Sequence, residues 1–147
     1  MYSLPIEFRS EAEAGGEFSH PWTIVSGQSC SFSAVPAEFG GHGGGFSPED
    51  LFLQAAINCF IGTFKVVAKM SKVSFSNVQV KGRLRVDKNS EGKTVMSAVH
   101  LDIEFQGVDR PDRVEAIVAK AIRDGFIINS IKSEISYSLS YTSSTHP

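Results

Sequence analysis

Thiols are scarce in this chain: Cys30 and Cys59 are its two cysteines in 147 residues. Two cannot build a framework of several disulfides, so stability has to come from an apolar core, and the default compartment is the reducing cytoplasm. A surplus of charge of one sign is also missing. Fourteen basic residues stand against sixteen acidic ones, a formal net charge of −2 with no long block of either sign. That excludes the electrostatic footprint of a nucleic-acid or anionic-membrane partner. Lys81, Arg83 and Arg85 do gather, but at alternate positions, as on one solvated strand face. The opening MYSLPIEFRSEAEAG has no basic start and no apolar stretch of signal-peptide length. No unbroken apolar run is long enough to predict a membrane span, since Gln54 and Asn58 interrupt the best candidate. The four histidines are scattered, with no Cys or His at ligand spacing beside His42, so no metal centre is expected. The glycine-rich run Phe39 to Phe46 lacks both GxGxxG spacing and Gly-Lys-Ser/Thr, which leaves a nucleotide cofactor unsupported and a flexible connector as its plain role. The length suits a single domain, residues 1–147, with a real core.

What the chain does have is one long apolar helix with a well-marked start. Ser47 can cap it, Pro48 suits its first position, and Asp50 lies three residues after the cap, as in a capping box with Asp in place of Glu. Glu49 and Asp50 complement the positive end of the helix dipole. From Leu51 to Val67 the polar breaks are Gln54, Asn58, Thr63 and Lys65, so the helix should be buried on most sides. Cys59 sits near its middle. Before the helix, alternation predicts strands over Leu4–Phe8, His20–Val25 and Ser29–Ser33, with Cys30 a small half-buried strand residue. After it, Val78–Val86 and Val95–Phe105 read as a long β-hairpin about the polar turn Asp87–Gly92. A second helix begins near Asp109-Arg110-Pro111-Asp112 and ends at Gly125, a position where a left-handed glycine cap would make any side chain strained. Phe126–Ile131 is a short apolar segment and Glu134–Tyr141 a last strand.

The order β-β-β-α-β-β-α-β, with hairpin connections, indicates an α+β fold with an antiparallel sheet and two main helices. One small sheet and one amphipathic helix cannot cover the first helix on all sides, so a second subunit is expected to bury the rest.

The run SPEDLFLQAAINCF, the hairpin and helix that follow, and the block FIINSIKSEI resemble the osmotically inducible protein C and organic hydroperoxide resistance family over most of the chain. The resemblance implies an OsmC-like fold, an intertwined homodimer with sheets from both chains wrapped around central helices. It also implies a thiol peroxidase acting on organic hydroperoxides. By that resemblance Cys59 matches the peroxide-attacking cysteine and Glu49 the family carboxylate. The resolving position falls at Gly125, which has no thiol, and the family arginine finds no counterpart in Gly15-Gly16-Glu17-Phe18, Arg9 lying earlier in a predicted strand. Thiols in apolar surroundings resist ionisation, and Cys59 lies about three turns beyond the helix start, out of reach of its dipole. Glu49 and Cys59 are separated by about 15 Å of helix rise, so a shared site would take Glu49 from the other subunit. Three readings stay open on the residues alone: a one-cysteine peroxidase with an external thiol reductant, a non-catalytic protein binding a small hydrophobic ligand, and a fold whose Cys59 is core filling.

Overall fold

The computed structural model describes residues 2–144. Within them the backbone forms two compact units, the first ending at Leu51 and the second starting at Phe52. The division falls in the first turn of the long helix.

The first unit is a small antiparallel sheet of strands β1 (Glu11–Glu13), β2 (Trp22–Ser26) and β3 (Ser29–Ser33), in that spatial order. Residues 4–8, expected as a strand, have none; strand pairing starts only at Glu11, facing Val25. Alternation of Leu4, Ile6 and Phe8 supplies the pattern of a strand, but a strand also requires an edge to pair with, and these side chains are exposed. The same holds for Arg9, which lies in irregular backbone beside Glu7. The glycine-rich segment is stitched to the sheet, with Phe46 bonding Phe32 and Ala34 through its backbone and Ser33 Oγ donating to the Phe46 carbonyl. Two glycines are there for close approach. A Cβ at Gly41 would overlap the Val35 backbone, and one at Gly45 would fall 2.7 Å from the Phe32 carbonyl.

Helix α1 (Pro48–Met70) begins with the expected reciprocal cap: Asp50 N–H donates to Ser47 Oγ and Ser47 N–H to Asp50 Oδ2, both at 2.9 Å. It ends at a left-handed Lys72 (φ 56°), with Val73 N–H bonding the Ala68 carbonyl, a glycine-free version of the Schellman stop. By length and composition α1 could cross a bilayer in spite of Gln54 and Asn58, whose side chains bond one another along the helix. Its Ala56, Ile57, Phe60, Phe64, Val67 and Ala68 are instead buried.

The second unit packs these residues on strands β4 (Asn77–Lys88), β5 (Thr94–Val108) and β6 (Glu134–Ser143), and on helix α2 (Pro111–Asp124) with the short α3 (Phe126–Ser130). β4 and β5 form the expected hairpin, whereas β5 and β6 run parallel because α2 and α3 carry the chain back across. The sheet is therefore mixed, within the α+β class read from the sequence. Strict alternation on β4 puts Val78, Val80, Leu84 and Val86 inward and Lys81, Arg83 and Arg85 in solvent. At Gly82 an added Cβ would meet Leu53 and Ile57 Cδ1 at 2.9 Å, so α1 lies directly on the β4 backbone there. Phe64 fixes the middle of the core, its ring centroid 4.4 Å from Phe105 and 5.5 Å from the edge-on Phe75.

Candidate functional site

Cys59 lies on the flank of α1, two residues after the buried Ile57 and one before the fully buried Phe60. It is half-buried, free, and in contact with the apolar core of the second unit. Its sulfur faces the corner between α2 and α3. A Cβ built on Gly125 would stand 2.8 Å from Cys59 Sγ and 3.1 Å from the Ala121 carbonyl oxygen. Gly125 has φ −64° and ψ 127°, and its N–H closes α2 by donating to Ala121. Gly125 ends the helix as expected, but in extended backbone, so the strain that a left-handed cap would place on a side chain here does not arise. Phe126 and Ile127, which follow directly, are 70% and 40% exposed.

Glu49 belongs to the first unit, in the first turn of α1, and its Oε2 is buried with no hydrogen-bond partner among the described residues. An unpartnered carboxylate oxygen is costly unless a donor or cation meets it. Cys30, expected as half-buried, is exposed on β3. It borders a cavity of about 530 Å³ in the first unit with Ile24, Val25, Phe46 and Leu51. Lys65 points to solvent, His42 is exposed, and His20 pairs with Glu17 at 3.1 Å. Of the basic candidates named from the sequence, Lys65 shares the second unit with Cys59, and its side chain is turned to solvent. No group of three or more His, Cys, Asp or Glu that could hold a metal occurs among the described residues.

A polar network that the sequence reading missed spans β5 and β6. His100 Nδ1 meets Ser136 Oγ at 2.7 Å, His100 Nε2 meets Asp102 Oδ1 at 3.0 Å, and Ser138 Oγ donates to the same oxygen at 2.6 Å. The Ser138 hydroxyl, then His100, hold the Asp102 carboxyl below its ordinary range against the opposing effect of partial burial. The pairs His100 with Ser136 and Asp102 with Ser138 are directly opposite in register, so the network ties the parallel strands together on their outer face. Its only sequence signal was His and Asp at i and i+2 opposite alternating serines.

The sequence model of the family described as OsmC-like protein matches residues 41–140, more than half of the chain. The chain belongs to the OsmC-like family. An uncharacterized protein of Acinetobacter baylyi is 32% identical to this OsmC-like chain over 89 residues, 60% of the chain and 61% of that relative, so the match spans less than two thirds of the relative's length. Among solved structures, an OsmC-like protein of unknown function from Vibrio cholerae superposes with a TM-score of 0.84 at 19% identity, covering 92% of this chain and 100% of that one. The organic hydroperoxide resistance protein OsmC of Legionella pneumophila superposes at 0.73 with 25% identity, covering 95% and 99%. The organic hydroperoxide resistance protein OhrB of Bacillus subtilis superposes at 0.67 with 21% identity, covering 93% and 98%. The OsmC-like fold thus extends over nearly all of the described chain.

Proposed function

We propose that this OsmC-like protein reduces organic hydroperoxides through Cys59, with an external thiol as reductant. The observation that carries the reading is the placement of Cys59: a free, half-buried thiol on the core helix, inside the family-matched region, with its sulfur against a residue that has no side chain. Solved relatives named as organic hydroperoxide resistance proteins support the substrate class. The Cys59 thiolate attacks the terminal peroxide oxygen, the O–O bond breaks, and the alcohol leaves with a proton, giving a sulfenic acid. Gly125 offers no thiol to that sulfenic acid, so an external thiol condenses with it, releasing water and forming a mixed disulfide. A second external thiol then displaces Cys59 and regenerates it. Glu49 is proposed as the second site residue, its buried Oε2 awaiting a donor or cation brought by the second copy of a homodimer. The exposed Phe126 and Ile127 beside Gly125 favour apolar substrates over hydrogen peroxide. They also support the alternative, a non-catalytic protein binding a small hydrophobic ligand. Consumption of cumene hydroperoxide in the presence of dithiothreitol, compared with a Cys59→Ser variant, separates the two. Equal consumption by both proteins would end the peroxidase reading.

A further inference from the structure

The backbone at Gly125 does not call for glycine. Its φ of −64° and ψ of 127° lie where any L residue is comfortable. The surroundings of the missing side chain do call for it, and the tightest of them is a sulfur. A Cβ there would stand 2.8 Å from Cys59 Sγ, against the roughly 3.5–4 Å of an unstrained non-bonded contact. The next neighbours are the Ala121 carbonyl oxygen at 3.1 Å and Ile128 Cβ at 3.7 Å.

We infer that Gly125 is a positioning residue for Cys59: the corner between α2 and α3 is a seat without a side chain that selects the rotamer, and hence the orientation, of the thiol. A cysteine sulfur moves through one torsion. In a helix one of the three staggered wells is blocked by the preceding turn, which leaves two. Cys59 Sγ is therefore either in the seat or swung about 3 Å away into the other well. Any side chain at 125 that is not itself bonded to Sγ removes the first choice. A misplacement of about 1 Å at a reacting atom can lower a rate about 100-fold, so the seat determines how the thiol meets an attacking or attacked group. Only this catalytic consequence rests on the hydroperoxide reading; the seat itself rests on the contact.

The test is a double-mutant cycle with a chemical readout. Gly125→Ala should lower the melting temperature when Cys59 is present and lower it much less, or raise it, in a Cys59→Ala background, because the sulfur is then gone and only the Ala121 contact remains. In a Cys30→Ser protein, whose single thiol is Cys59, Gly125→Ala should change the second-order rate of iodoacetamide alkylation at least tenfold and displace its pH profile. The accompanying loss of hydroperoxide turnover should fall on kcat more than on KM. An inactive parent protein whose alkylation profile still responds to Gly125→Ala would refute the peroxidase reading and support the seat. If Gly125→Ala fails to fold while the variant carrying both substitutions folds, the sulfur is the obstacle and the inference holds. Equal thermal effects in both backgrounds, an unchanged alkylation profile, or failure of the doubly substituted protein to fold would overturn it.

Discussion

Cys59 and Cys30 are the same residue type in opposite circumstances. Cys59 is set against the core of the second unit, whereas Cys30 is exposed on a strand of the first. Replacing Cys59 with Ser should abolish hydroperoxide consumption, and Cys30→Ser should retain most of it, as read by loss of cumene hydroperoxide; equal loss in both would assign Cys30 the resolving role. A second prediction concerns the same seat. With an extended backbone and a Cβ 2.8 Å from Cys59 Sγ, Gly125→Cys comes close to the separation of about 3 Å that a disulfide sets between one Cβ and the opposite sulfur. The variant should form a 59–125 disulfide under organic hydroperoxide and resist further oxidation. The parent should proceed under excess oxidant to the sulfinic acid. Intact-mass and peptide mass spectrometry distinguish the two, and a prompt bond between Cys30 and Cys59 in the parent would contradict the scheme.

Specific end contacts mark where elements of this chain begin and end. The reciprocal cap between Ser47 and Asp50 starts α1. Ser47→Ala should destabilise the protein by about 1 kcal/mol in urea unfolding, with Cys59 reactivity changed far less, since the cap lies about three turns away. At the other end of the hairpin Asp109 accepts the Ser74 N–H at 2.9 Å. That hydrogen bond is the main reason its carboxyl stays below the ordinary value near 3.8. The native state therefore binds fewer protons here than the unfolded chain does. The contribution of Asp109 is complete above the ordinary value and is lost as the pH falls through the depressed one. Asp109→Asn should accordingly flatten the dependence of melting temperature on pH below about 4, leaving the neutral range little changed in slope. An identical acid slope in both proteins would contradict this assignment.

At the scale of the molecule the conspicuous feature is apolar surface. On α1, Val66 and Met70 are 59% and 77% exposed, and Phe8 and Phe18 in the first unit are exposed as well. Exposed side chains such as Val66 and Met70, on a helix that is apolar on most of its circumference, are surface that a second copy would bury. The protein should be an obligate homodimer, with unfolding midpoints that rise with protein concentration. Light scattering that finds a folded monomer at micromolar concentration would defeat the prediction, and with it the route by which Glu49 is proposed to reach the site.

The elements were legible in the sequence wherever their signals were local. Ser47-Pro48-Glu49-Asp50 marks the start of α1, alternation on β4 and β5 marks the hairpin with its wet and dry faces, and Pro111 and Gly125 bracket α2. Each depends on neighbours within a turn or a pleat, so periodicity and caps suffice. Where a distant partner decides, the sequence was silent or misleading. Leu4, Ile6 and Phe8 alternate like a strand yet pair with nothing in the described residues. β6 joined β5 in parallel because of the direction from which α3 delivers it. Gly125 looked like a helix-ending glycine and nothing more. Only the packing of α2 beside α1, sixty-six residues earlier in the chain at Cys59, makes it a glycine kept for a sulfur atom. A residue's own backbone preference is written in its neighbourhood; the space left for its side chain is set by whatever the fold brings against it.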